Sequence, residues 1–197
     1  KGGRPIALLA NYSLHYVGGV PAGRVSADYF GEFARQIKKR IAPKEDDSQP
    51  PFVGIMSNGT SGDINNINFR DPRPRREPFE QIGIVATKTA DAATRAIQRI
   101  DDPFEDLTLG MQQREITLKH RVPTPQQIER AKSIVEMDAD DEKNLPRLAK
   151  AYAQRTLDLA AQPPTTKVLI QAVRIGDLAI CALPFEVLVE IGLELKE

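Results

Sequence analysis

Two stretches of this chain place polar, chemically capable side chains directly after an apolar run. The first ends at His15, which follows Ile6-Ala-Leu-Leu-Ala10 and precedes the glycine-rich segment Gly18-Gly-Val-Pro-Ala-Gly23. Such a run reads as a strand covered on both faces, and open α/β sheets hold ligands beyond the C-terminal ends of their parallel strands. An imidazole there is either a packed structural group or a ligand or base. The other histidine, His120, lies between Lys119 and Arg121 and reads as a surface residue. The second stretch follows Phe52-Val-Gly-Ile-Met and runs Ser57-Asn-Gly-Thr-Ser-Gly-Asp-Ile-Asn-Asn66. Glycines 59 and 62 permit unusual backbone angles, and every other member except Ile64 can donate or accept a hydrogen bond. If the two strands are neighbours, this loop stands beside His15, with Asn58, Ser61 and Asn66 as candidate substrate contacts. The same residue types also build ordinary turns. The loop is not a phosphate-binding P-loop, lacking the lysine and the spacing, nor a Gly-x-Ser-x-Gly nucleophile elbow. A third place, Leu183-Pro-Phe-Glu186, sets a carboxylate at a sheet edge. It serves either helix N-terminal electrostatics or a metal, since zinc accepts carboxylate oxygen and imidazole nitrogen alike.

The elements that must position these residues alternate between strand and helix periods. A strand over 5–13 leads to a helix with Ser26 as N-cap and Asp28 in its first turn. Phe30, Phe33, Ala34, Ile37 and Ile41 share one face of that helix, and the basic residues from Arg35 to Arg40 form a solvated one. An acidic loop over 43–51 returns to the second strand, giving a βαβ unit whose crossover should be right-handed. The Arg- and Pro-rich stretch to Glu77, centred on Arg73-Pro-Arg75-Arg76, reads as a braced loop or a phosphate contact. A long helix then runs from Phe79 to Ile100. A strand over 107–118 follows, with Met111, Ile116 and Leu118 on its buried side. Helices from Thr124-Pro125 (Ile128, Ala131, Val135) and over 145–161 (Leu148, Tyr152, Leu159) pair as a helical hairpin. Strands over 168–175 and 177–183 turn at Gly176-Asp177. Pro184 opens a last helix, with Val187, Leu188, Ile191 and Leu195 inward. The sum is an α/β fold: a mixed β-sheet flanked by helices, with an N-terminal βαβ unit and a C-terminal β-hairpin followed by a helix. It is expected to form one domain over residues 1–197.

Composition narrows the function classes. The 197 residues are 41% hydrophobic, too apolar for a disordered tail, and 27 basic side chains balance 27 acidic ones. Zero net charge argues against nucleic acid as partner, since a basic excess is its usual footprint. The single cysteine, Cys181, excludes an internal disulfide framework and a cysteine-based zinc cluster. The most apolar tract, 178–193, is broken by Pro184, Glu186 and Glu190, so no transmembrane segment is expected. The opening at Lys1-Gly-Gly-Arg reads as a cut, and the chain as a fragment of something larger.

At three places the sequence resembles the catalytic domain of the neutral, non-lysosomal ceramidase family. They are Ala10 to Tyr29, including His15 and Ser26-Ala-Asp28-Tyr29; Phe52 to Asn66; and Gly176 to Gly192, where Ile-Gly-Asp-Leu-Ala-Ile precedes Pro-Phe-Glu. The family's members are zinc-dependent amidases that cleave the N-acyl bond of ceramide. The resemblance implies that His15 and Glu186 are zinc ligands, and that the family's other ligands, an upstream histidine and a downstream tyrosine, lie outside this chain. Zinc binding by the chain alone is therefore expected to be weak or absent. The family's second-loop motif reads Gly-Asp-Val-Ser-Pro-Asn, with a nucleophilic serine, whereas this chain has Gly62-Asp-Ile-Asn65-Asn66. An amide nitrogen is a poor nucleophile, so covalent transfer through Asn65 is not supported.

Three outcomes stay open. Water activated by zinc attacks an amide or related acyl bond, with Asp63 positioning the loop and Asn65 orienting substrate or oxyanion. Or Ser57 or Ser61 is a displaced nucleophile, Ser61 combining with His15 and Asp63 in a serine hydrolase. Or the chain is a catalytically inactive binding or structural domain. The implied partner is a small-molecule or lipid amide. The implied location is secreted or periplasmic, and the sequons at Asn11 and Asn58 both abut strands.

Overall fold

A computed structural model describes residues 4–43, 50–72, 74–101 and 103–197. Most of the acidic loop and Arg73 of the arginine cluster thus lie outside the described residues. In chain order the elements are β1 (Ala7–Tyr12), α1 (Asp28–Ile41), β2 (Val53–Asn58), α2 (Glu80–Ile97) and β3 (Leu109–Lys119). There follow α3 (Pro125–Glu136), α4 (Ala139–Glu142), α5 (Ala149–Ala161), β4 (Thr165–Ile175), β5 (Leu178–Ala182) and α6 (Val189–Glu194). The fold is mixed α/β, and the chain divides into two compact units, residues 1–106 with 185–197, and residues 107–184.

In the first unit β1 and β2 pair in parallel, from Ala7 opposite Val53 to Tyr12 opposite Asn58. Their C-terminal ends therefore emerge side by side and deliver both polar loops to one edge. Phe33 and Ile37 of α1 and Ala90 of α2 are fully buried against Leu8, Ala10 and Met56 of the sheet. Gly54 lets α1 close on β2, since a Cβ there would lie 2.5 Å from Ile37 Cγ2. Arg40 of α1 pairs with Asp91 of α2 at 2.9 Å, so part of the basic face ties the two helices together. The expected two-sided burial of the strands does not hold. Leu9, Val53 and Ile55 are 52%, 50% and 44% exposed, because both helices pack on the other face of the pair. Helix α1 starts at Asp28 behind Ala27, with Ser26 accepting the Asp28 N–H at 3.0 Å.

In the second unit β3, β4 and β5 form an antiparallel sheet in that order. The β4–β5 hairpin turns at Gly176, whose φ of 59° suits glycine. Helices α3 and α5 pack together through the small buried residues Ala131 and Ala153. That close seam leaves Leu148 and Tyr152 more than half exposed, and Met111 on β3 is 58% exposed, so these three are not core. A capping box opens α3: Thr124 accepts the Gln127 N–H at 3.2 Å, and the Gln127 side chain accepts the Thr124 N–H at 2.8 Å. Thr124→Ala is expected to cost about 1 kcal/mol, read as a lower denaturation midpoint with an unchanged denaturant slope.

The last helix begins at Val189 rather than at Pro184, and of its residues only Gly192 is buried. Residues 185–188 stay irregular because the Val187 carbonyl accepts the Gly62 N–H at 2.8 Å instead of entering a helical ladder. Ile191 and Leu195, expected inward, are 45% and 57% exposed. No described helix is long and apolar enough to cross a membrane.

Candidate metal centre

The parallel register brings the loop after β1 against the loop after β2. The His15 N–H donates to the Ile64 carbonyl at 3.0 Å, and the Gly59 N–H donates to the Tyr12 carbonyl at 3.1 Å. The segment that leads into α6 docks on the same loop. Gly62 makes this possible: a Cβ at that position would lie 2.6 Å from the Glu186 carbonyl oxygen. Asp63 adds a side-chain tie, its Oδ1 accepting the Val189 N–H at 3.0 Å. The outcome is that His15 Nε2 lies 3.9 Å from Glu186 Oε2, with the imidazole one-third exposed and the carboxylate 77% exposed. That distance is beyond a hydrogen bond but within reach of an ion pair. Glu186 lies ahead of α6 and its N-cap Leu188, so it is not a residue of that helix's first turn.

The other sequence-predicted residues distribute around this pair. Asp63 and Asn65 are exposed, Asn66 is half-buried, and Asn58 is exposed at the end of β2. Ser61 is buried at 2% exposure and its Oγ accepts from Asn58 Nδ2 at 2.8 Å, so its hydroxyl belongs to the inside of the loop. Ser57 is held as well, between the Ala10 carbonyl and Asn11 Nδ2. His120 lies in the other unit and is half-buried, its N–H donating to the Pro164 carbonyl at 2.9 Å. Among the described residues no group of three or more His, Cys, Asp or Glu side chains could hold a metal ion, so the site offers a pair of donors.

The support beneath His15 was invisible in the sequence. Asp28 is 6% exposed; its Oδ1 accepts the Val17 N–H at 3.1 Å and the Tyr29 N–H at 2.7 Å, and its Oδ2 accepts the Gly18 N–H at 3.0 Å. Tyr29 is fully buried and donates its hydroxyl to the Leu14 carbonyl at 3.0 Å. Burial pushes this phenol well above its ordinary range, so it remains a donor. An aspartate in a first helical turn reads as a dipole partner, and nothing in the spacing distinguishes one turned back into the core. Two residues beyond His15 the loop enters a groove of about 880 Å³ with walls that include Val17, Val20, Ile67, Arg75 and Gln81. No protein-family model matches the chain, and comparison with curated proteins finds no match.

Proposed function

We propose that this chain is part of a ceramidase-like, zinc-dependent hydrolase acting on an amide (N-acyl) or related acyl bond of a small-molecule or lipid substrate. The observation that carries the reading is the 3.9 Å approach of His15 Nε2 to Glu186 Oε2. A Zn–N and a Zn–O bond together span about 4 Å, so one cation can touch both atoms. Two ligands do not complete a catalytic zinc site, which needs at least three, and the resemblance assigns a further histidine and a tyrosine to residues outside this chain. Zinc, when bound, supplies Lewis-acid polarisation of the scissile carbonyl and lowers the pKa of water to about 7.

The chain's own residues do the positioning. Asp63 holds the second loop against the start of α6. Asn65, exposed on that loop, offers a carboxamide N–H to the developing oxyanion. Asn58 gives its Nδ2 to Ser61 and keeps its carbonyl oxygen for substrate, so Ser61 contributes through Asn58. Asn66 is assigned to the same substrate-binding edge. The groove beyond His15 has Val17, Val20 and Ile67 for an acyl portion and Arg75 and Gln81 for a polar one. By the same resemblance the protein is secreted or periplasmic.

His15→Ala and Glu186→Gln are each expected to lower zinc affinity by roughly 100-fold or more, at or beyond what altered second-sphere partners produce. Metal content of the full-length protein after dialysis against a graded chelator checks this, and unchanged stoichiometry in both variants would refute the assignment. A second reading, a catalytically inactive ceramidase-like domain, is favoured by Asn65 where the family has its serine. Amidase activity gained by Asn65→Ser would indicate machinery otherwise intact, and retained zinc without hydrolysis in the unaltered protein would favour the inactive reading.

A further inference from the structure

We propose that Asp28 is a positioning residue for His15, its buried carboxylate fixing the loop that carries the imidazole. The assignment takes its functional meaning from the reading of His15 as a ligand, but its structural basis is independent of any metal. Three backbone N–H groups converge on one side chain, and two of them, from Val17 and Gly18, belong to the loop just past His15. Asp28 itself sits at φ 51°, a conformation that costs a non-glycine residue energy and persists only when its surroundings over-determine it. Ser26 supplies part of that determination by accepting the Asp28 N–H.

The loop on the other side of this contact is equally constrained. Gly18 and Gly19 take φ values of 70° and 76°, which turn their backbone around the carboxylate. The Tyr29 hydroxyl holds the Leu14 carbonyl just before His15, and the Ile64 carbonyl holds the His15 N–H. His15 is therefore gripped before, at and after its own position. Only the grip after it depends on a charged group, and hydrogen bonds to charged groups are the stronger ones. A helix start fitted only to its own dipole would point its acid outward to water. This one is turned inward and backward, strained at the position where the loop needs an acceptor.

The test is Asp28→Asn, which keeps the shape and removes the charge and one acceptor. Amide hydrogen exchange of His15 is expected to quicken by at least about tenfold relative to the amides of Phe33, Ile37 and Ala90, which report the helix core. Zinc affinity of the same variant should fall in parallel. Uniform quickening of all these amides would reduce Asp28 to a general stabiliser, and unchanged protection of His15 would overturn the proposal outright. If the unaltered full-length protein binds no zinc, the zinc reading fails while the exchange comparison still decides the role of Asp28. Should Asp28→Asn not fold, Ser26→Ala loosens the same residue more gently and is read by the same ratio, with the same two results against it.

Discussion

Gly62→Ala is expected to part Glu186 from His15 and to lower zinc affinity by roughly 10- to 100-fold, the scale of lost support around a metal ligand. A Cβ at position 62 would stand 2.6 Å from the Glu186 carbonyl oxygen, 3.0 Å from Leu188 Cδ2 and 3.1 Å from the Val187 carbonyl carbon. Two of these obstacles are backbone, so no rotamer change relieves them. The segment must move, and the 2.8 Å bond from the Gly62 N–H to the Val187 carbonyl must lengthen or break. Overpacking of this kind costs about 1–3 kcal/mol, which leaves the fold standing and the site displaced. A zinc competition titration of the full-length protein at fixed pH separates the two effects. Affinity equal to that of the unaltered protein would show that this backbone contact does not set the His15–Glu186 distance.

Phe33→Ala carries the largest expected loss of stability, about 3–5 kcal/mol, from transfer of a large ring and the cavity it leaves. Phe33 is fully buried and packs with Ile37, Phe52 and Ala90, in the layer that holds α1 and α2 on the parallel strands. Natural domains have only about 5–15 kcal/mol in hand, so this one change removes a large share. Urea unfolding followed by the ultraviolet signal of Tyr29, buried in the same unit, is a direct readout. A loss below about 1 kcal/mol would place the ring at a site that collapses or is already wet, contrary to the packing described.

Much of the architecture could be read in advance because it is written in local signals. The apolar runs before Ser13 and Ser57 mark parallel strands, Gly176-Asp177 marks the hairpin turn, and Thr124-Pro125 with Gln127 marks the α3 start. What escaped depended on distant partners. A short apolar run looks alike whether one face or both are covered, so exposure of Leu9 and Ile55 could not be foreseen. Pro184 resembles a helix opener, yet the residues after it are claimed by Gly62 and Asp63. For the site, His15 and the second loop followed from where strands end. Glu186 was legible as a carboxylate at a sheet edge with two possible uses, and the family likeness singled out the metal, whereas the inward turn of Asp28 left no trace in residue type.

The Asp63–Val189 bond closes over 126 positions of chain, and the whole of residues 107–184 hangs inside that closure. The entropy of closing a loop grows only with the logarithm of its length, so the intervening unit can lengthen or shrink at little thermodynamic cost to the clasp. Timing is less forgiving. During synthesis the helices and strands around His15 are complete long before Glu186 leaves the ribosome, and a polypeptide halted at position 184 would own the imidazole without its carboxylate.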